Sequence, residues 1–528
     1  MPRISRRGVL AAGMSTGLAA SRATAGTTVE RWGLFEIALD GPKAGNPFVE
    51  VTFSAEFRSG AATHVVPGFY DGDGVYRIRF SPETEGRWTW GTRSNIRALG
   101  GRTGAFTATA PSAGNHGPVR VTPDGYHFVH ADGTPFRLMG TTCYSWALQS
   151  DEKCAQTLAT LKASPFNKMR MLVFPNVTAE PIAPFVATGP GPKDWDAARF
   201  NPAFFRRFED RVARLLGLGI QADIILFHPY DKAHGYSDMM PVEDEHYLRY
   251  VVARLSAWRN VWWSAANEFD LIKTKAMADW DHIFQVMRDA DPHGRLRSVH
   301  NCHVFYDNRK PWVTHSSIQN GSAVADDSRA EIYRDVWEKA VVFDEVCYEG
   351  HVEARWGQLS GEELVARFWH GTVAGTYVGH SEVLTADGPN NEKLGADASW
   401  LGKGGGLLGT SAPRLAFLKA VLEAGPVPGI EPIDKWWDRH LGGQAGTWYL
   451  RYFGREAPTE WAFELPKAGL NGGERFRVEV LDTWAMTTTP VDGAFTLDAS
   501  DKYSFRDAAR PVVALPGKPW QALRMVKV

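Results

Sequence analysis

Two glutamates sit where glutamate is expensive. Glu268 closes the run Val261-Trp262-Trp263-Ser264-Ala265-Ala266-Asn267-Glu268, and Glu345 lies within Val341-Val342-Phe343-Asp344-Glu345-Val346. A carboxylate in an apolar run is costly to bury without a partner. Each therefore marks either chain leaving a core or an acid delivered to a site. Two carboxyls facing one another can cleave a glycosidic bond. One protonates the leaving oxygen while the other attacks the anomeric carbon, at a separation of about 5–5.5 Å in a retaining enzyme. The acid needs a raised pKa and the nucleophile must stay ionised, so their surroundings must differ.

Asp344 and Glu349 compete with Glu345 for that role. Alternation along a strand puts Asp344 and Glu345 on opposite faces, which favours Glu345 as the one facing a site. Glu349 lies past the strand. Asn267 is placed to hydrogen-bond a sugar hydroxyl next to the anomeric centre, and Arg170 to keep Glu345 ionised by opposite charge. His228, His300 and Gln319 also fall near ends of apolar runs. Each histidine reads equally as a site residue or as a hydrogen-bonded core residue. Gln319 reads as a substrate ligand or as part of a surface loop. The spacing of His300 and His303 invites a metal, but no Asp/Glu cluster completes a ligand set. The expectation is no metal and no cofactor. Twenty tryptophans are more than a core needs. Trp146 and Trp400 are candidate sugar platforms, with ordinary packing the near-equal alternative.

Such residues need a scaffold. From Phe136 onward eight strand-like runs (136–142, 168–174, 222–227, 261–265, 297–301, 312–319, 340–346 and 377–382) alternate with helical patterns at 153–163, 202–218, 243–257, 277–290, 330–339 and 361–374. That rhythm predicts an α/β fold, a closed (β/α)8 TIM barrel with its chemistry at the carboxyl ends of the strands. The fifth-to-sixth link, 302–311, is too short for a long helix. On either side, period-two runs with Gly/Asp turns, such as 48–57, 75–80, 447–453 and 476–481, predict β-sandwiches. The expected domains are an Ig-like sandwich at 26–115, the barrel at 116–424 and a C-terminal β-sandwich at 425–528. Tyr126–His130 with Asp132–Pro135 reads as a hairpin entering the barrel.

A net charge of -2 gives no support for nucleic acid or an anionic membrane as partner. A carbohydrate substrate is expected, and the pattern leaves oligomeric state open. The four cysteines are dispersed and read as free thiols, mostly buried. Ser5-Arg6-Arg7-Gly8-Val9-Leu10, the apolar stretch after it and Ala23-Thr24-Ala25 read as a Tat-type signal over residues 1–25. The mature chain would start at Gly26 and be periplasmic or secreted. No later run is long enough to span a bilayer.

Asn-Glu closing the fourth strand, with a second Glu closing the seventh, resembles glycoside hydrolase clan A. Asp344-Glu345-Val346-Cys347-Tyr348-Glu349-Gly350, His380-Ser381-Glu382 and Trp400-Leu401-Gly402-Lys403-Gly404-Gly405 resemble the apiosidase-like barrel hydrolases, which often carry flanking β domains. The resemblance implies Glu268 as acid/base and Glu345 as nucleophile of an exported, retaining, exo-acting glycosidase. It implies that Glu382 binds substrate hydroxyls, although His-Ser-Glu stands where relatives have a His-Gly-Glu pattern. The rival readings are an inverting glycosidase, a barrel that binds carbohydrate without cleaving it, and a structural cell-surface β protein.

Overall fold

The computed structural model describes residues 27–176, 182–319, 324–325, 327–386 and 399–528. The expected export signal lies outside the described residues. The centre of the chain is a mixed α/β unit on eight strands: β1 (Gly140–Thr142), β2 (Lys168–Leu172), β3 (Gln221–Phe227), β4 (Val261–Ala266), β5 (Arg297–Ser298), β6 (Ser316–Gln319), β7 (Val341–Glu345) and β8 (Tyr377–His380). Their order is β5-β4-β3-β2-β1-β8-β7-β6, and every pair is parallel. A parallel bridge between His300 and Ser317 joins the β5 and β6 sides, so the sheet is barrel-like. Strands β2, β3, β4 and β7 are buried along their whole length. Strand β4, Val-Trp-Trp-Ser-Ala-Ala, is accordingly a near-continuous apolar run, whereas β2, β3 and β7 carry Lys168, Arg170, Asp223, Asp344 and Glu345 into the interior as ion pairs.

Helices α1 (Asp151–Lys162), α2 (Pro202–Gly217), α3 (Pro241–Leu255), α4 (Met277–Ala290), α5 (Asp327–Trp337), α6 (Gly361–Val373) and α7 (Ser411–Glu423) accompany the strands. Ser150, Asn201 and Ser360 cap α1, α2 and α6 with their side-chain oxygens. Between β5 and β6 the chain makes turns without a helix.

Three readings need correcting. Strand 48–57 starts later, at Phe53, because Pro47–Glu50 forms a helical turn. Proline suits a first helical position, where its missing N–H is not needed. Phe48 accordingly packs on Tyr70, Phe200 and Tyr250. The strand expected through Glu382 stops at His380, and Glu382–Val383 pairs separately with Glu349–Gly350. Finally, Asp344 and Glu345 do not face opposite ways. Ser317 pairs with Val342 but Gln319 pairs with Glu345, so three steps along β7 face two along β6. This bulge breaks the alternation and turns both acids inward.

At the N-terminus, the strand Ala62–Tyr70 pairs with Phe53–Ser59 through its first half and with Val75–Phe80 through its second. This folds the sheet over a core that includes Phe57, Trp88 and Phe106. Between Phe128–His130 and its partner Val119–Val121 the chain makes the longer hairpin, with Asp132-Gly133 forming a second turn. The N-terminal β region docks on α2 and α3 through buried charges. Arg79 lies 2.7 Å from Glu209, Arg254 2.6 Å from Glu209, and Arg254 2.9 Å from Asp71. The C-terminal strands from Glu431 to Lys527 enclose Tyr449, Phe463, Phe476, Phe495 and Leu523. All four cysteines are free, but only Cys143 and Cys154 are buried. Among the described residues, no helix is long and apolar enough to cross a membrane.

Candidate active site

The carboxyl ends of the strands surround a cavity of about 820 Å³. Its lining includes Asn267, Glu268, Gln319 and Glu345 together with Tyr144, Tyr230, Tyr348 and Trp356. Asn267 follows β4 directly, and its backbone N–H donates to the Phe227 carbonyl at 2.9 Å. Glu268 sits at φ 46°, ψ 52°, a left-handed conformation that non-glycine residues adopt only where surroundings hold them. The next turn supplies the hold. Asp270 accepts the backbone N–H groups of Cys302, His303 and Val304 at 2.6, 2.8 and 3.0 Å. The loop after β4 is thereby locked to the loop after β5.

Glu345 is surrounded by donors. Tyr348 donates to Oε2 at 2.6 Å, the Gln319 amide donates to the same oxygen at 2.7 Å, and the Tyr144 hydroxyl donates to Oε1. Arg170 lies 3.3 Å from Oε1. His300 lies 3.4 Å from it and holds Ser317 through its other nitrogen at 3.0 Å. Burial opposes ionisation of Glu345, but His300, Arg170 and Tyr144 outweigh it and hold the carboxyl well below the usual range.

Glu268 has poorer company. Burial first, and the Glu345 charge second, push its carboxyl up to about 7, against the Gln319 amide and the Cys302 thiol, which donate to it. The Tyr230 hydroxyl also reaches its Oε2. The same Gln319 nitrogen touches both acids, at 3.0 Å from Glu268 and 2.7 Å from Glu345. The two carboxyls are therefore neighbours with opposite protonation preferences at neutral pH.

Arg170 also donates to the Asn267 carbonyl oxygen at 2.7 Å, and the Tyr144 hydroxyl contacts that oxygen at 3.3 Å. The carboxamide is thus fixed with its NH2 as the part left for a ligand. Asp344 lies one layer deeper, 2.8 Å from Lys168 and 2.6 Å from the Ser317 hydroxyl. Lys168 and Arg170 overcome its burial and keep it ionised well below the usual range.

Four residues singled out in the sequence stand elsewhere. His228 engages the Phe174 carbonyl at 2.9 Å and accepts from the Tyr230 backbone at 3.1 Å, so both ring nitrogens serve the chain. It shapes the loop that carries Tyr230. Glu382 is occupied by the backbone N–H groups of Leu408 and Gly409 at 2.6 and 2.8 Å. Trp146 and Trp400 are wholly enclosed in the core, and the Trp400 indole donates to the Thr141 hydroxyl at 2.8 Å. Neither presents a face to a sugar. Aromatic faces reach the cavity instead from Tyr230 and Trp356, which are 50% and 41% exposed. The hydroxyls of Tyr144, Tyr230 and Tyr348 escape a search restricted to charged and amide side chains. All three sit within three residues of a strand end, and extending the strand-end rule to phenols finds them. Asp231 accepts the Ser237 backbone N–H at 2.7 Å and closes a turn. Among the described residues, no cluster of His, Cys, Asp and Glu is arranged to hold a metal.

Comparison with known proteins bears on this constellation. The family model described as "Apiosidase-like, catalytic domain" matches residues 122–402, more than half of the chain. Residues 28–95 and 437–526 match two domains of unknown function, DUF5060 and DUF5605. A candidate glycoside hydrolase from Bacteroides vulgatus is 36% identical, with a TM-score of 0.90 over 95% of this chain and 100% of that one. A family 5 glycoside hydrolase from the same species is 16% identical, with a TM-score of 0.57 over 78% of this chain and 94% of that one, a likeness of fold alone. No match is found among curated proteins. The chain is a glycosidase and belongs to the apiosidase-like catalytic-domain family of glycoside hydrolases.

Proposed function

We propose that the chain is a retaining, exo-acting glycosidase on a (β/α)8 barrel, with Glu268 as acid/base and Glu345 as nucleophile. The observation that carries this reading is the Gln319 amide, which touches both acids at once. Their facing oxygens can be no farther apart than those two hydrogen bonds laid end to end. That is shorter than the separation of about 6.5–9.5 Å that leaves room for the water of an inverting enzyme.

In this mechanism Glu268, neutral below about pH 7, gives its proton to the glycosidic oxygen. The Glu345 carboxylate forms a bond to the anomeric carbon as the leaving group departs. Bond formation removes the charge on Glu345 that helps keep Glu268 protonated. The Glu268 pKa falls, and the same carboxylate then takes a proton from the water that releases the sugar. The Asn267 amide binds a hydroxyl beside the anomeric centre. The cavity of about 820 Å³ suits removal of a terminal residue. The family description suggests apiosides first; arabinosides and other components of plant or bacterial polysaccharides are the next to test.

Proton NMR of the first-formed product anomer tests the reading: retention is expected, and inversion would overturn it. We read residues 1–25 as a Tat-type signal that exports the enzyme. Replacing Arg6 and Arg7 with lysine should leave activity in the cytoplasm, whereas unchanged export would remove that part of the proposal.

A further inference from the structure

The two most exposed large apolar side chains among the described residues stand next to each other, far along the chain from the cavity lining. Trp436 is 85% and Trp437 77% exposed. They form the tip of a hairpin between the strands Glu431–Asp434 and Asp438–Gln444. The tip is built rather than loose. Asp434 accepts the backbone N–H groups of both tryptophans, at 3.2 and 2.9 Å, and Asp438 closes the turn from the other side through Arg451 at 2.7 Å. Tyr503, 57% exposed, stands 5.9 Å from Trp437 between ring centres, with the rings inclined at 43°. It rides on a second turn, held by Asp501 to the Tyr503 backbone N–H at 2.7 Å. The amine of Lys502 lies over the Tyr503 ring. Lys435 reaches Asp335 of α5 at 2.6 Å, which ties the hairpin tip to the catalytic unit.

We infer that this surface binds a glycan chain, apart from the site that cleaves one. Flat, rigid aromatic faces kept in water suit the C–H faces of sugar rings, and the charged groups around them suit hydroxyls. A protein partner fits less well: at about 150–250 Å² for each aromatic side chain, the three rings offer less than the roughly 800 Å² a side that a stable protein interface buries. The enzyme's own substrate class supplies the occupant. A platform fixed to the catalytic unit keeps the enzyme on a polysaccharide between cleavage events. The inference rests on the family to which the chain belongs and not on the roles given to Glu268 and Glu345, so loss of those roles would leave it standing.

The test uses the full chain in native gels cast with pectin, arabinoxylan or galactomannan, and in a gel without polysaccharide. The wild type should be retarded in at least one of the three. The double variant Trp436→Ala/Trp437→Ala should bind at least about tenfold more weakly, with Tm and aryl-glycoside turnover unchanged. Tyr503→Ala should give a smaller loss, and it stands in if the double variant fails to fold. Absence of retardation in all three gels, or retardation kept by both the double variant and Tyr503→Ala, would overturn the inference. So would a wild-type dimer in sedimentation velocity that the double variant dissolves, or binding to phosphatidylcholine/phosphatidylglycerol vesicles that it abolishes.

Discussion

Two pairs of buried glutamates meet different partners. Glu268 and Glu345 face a cavity, and their hydrogen bonds come from Tyr, Gln, Arg and Cys side chains. Glu349 and Glu382 sit on paired two-residue strands and are filled by the main chain of residues 408–411, with the Thr410 hydroxyl also donating to Glu349 at 2.8 Å. Glu382 takes the N–H groups of Leu408 and Gly409, and Glu349 those of Thr410 and Ser411 at 2.6 and 3.0 Å. A Cβ at Gly409 would run into both carboxylates. Burial pushes Glu382 up to about 7, as it does Glu268. A raised carboxyl pKa therefore does not by itself mark chemistry. What separates the pairs is whether the remaining face of the carboxylate meets a cavity or a loop.

The sharpest way to break this contrast is Glu345→Gln. Turnover should fall by at least about 10⁴-fold while circular dichroism and Tm persist. Near wild-type turnover would mean that the cavity pair is as structural as the loop pair. Glu268→Gln should cost about 10²–10⁴-fold on poor leaving groups and less on activated aryl glycosides. In the wild type, activity should decline as pH rises through about 7, where Glu268 loses its proton; the variant should lack that limb. The same carboxyl has a consequence for stability. Its folded pKa lies above its unfolded value, so the folded state binds the proton more tightly, and stability is lost as pH rises from about 4.5 to about 7. Glu268→Gln should thus unfold at a higher temperature than wild type at pH 8, and a lower Tm there would contradict the burial cost.

Gln319→Ala removes the one amide shared by both acids. A loss of about 10- to 100-fold in kcat/KM is expected from a hydrogen bond to charged groups, and no loss would mean that the bridge is incidental. Glu382→Ala should behave oppositely. Two partly buried hydrogen bonds to main-chain N–H groups are lost, at about 0.5–1.5 kcal/mol each, which thermal denaturation should register, while the pH profile of the surviving enzyme stays put. A change in that profile would join the two pairs into one site. The smallest effect is expected at the aromatic rim: Trp356→Ala should raise KM a fewfold, on the order of 1 kcal/mol, with kcat little changed.

Much of the scaffold was legible because fully buried parallel strands and amphipathic helices leave plain marks. The helix predicted at 277–290 spans Met277–Ala290. The β7 bulge left no mark, since it depends on where Ser317 and Gln319 meet β7, a relation between two distant segments. The choice of Glu345 over Asp344 rested on an alternation that the bulge suspends. Trp146 and Trp400 show the limit of composition: a surplus of indoles says nothing of which ones face outward, and the exposed ones proved to be Trp356, Trp436 and Trp437. Glu382 shows the limit of the strand-end rule, because the amides that occupy it belong to a loop some 26 residues later.

The buried charges between the N-terminal β region and α2 and α3 make the catalytic unit a poor cassette. Arg254 and Glu209 belong to the catalytic unit, but Arg79, Glu36 and Asp71 complete their pairing. Cutting the chain after the first β region would strand Arg254 and Glu209 in a newly opened apolar face with half their partners gone. Swapping in the β region of a relative would succeed only if those acids and arginines travelled with it. The two segments are obliged to be inherited, and engineered, as one piece.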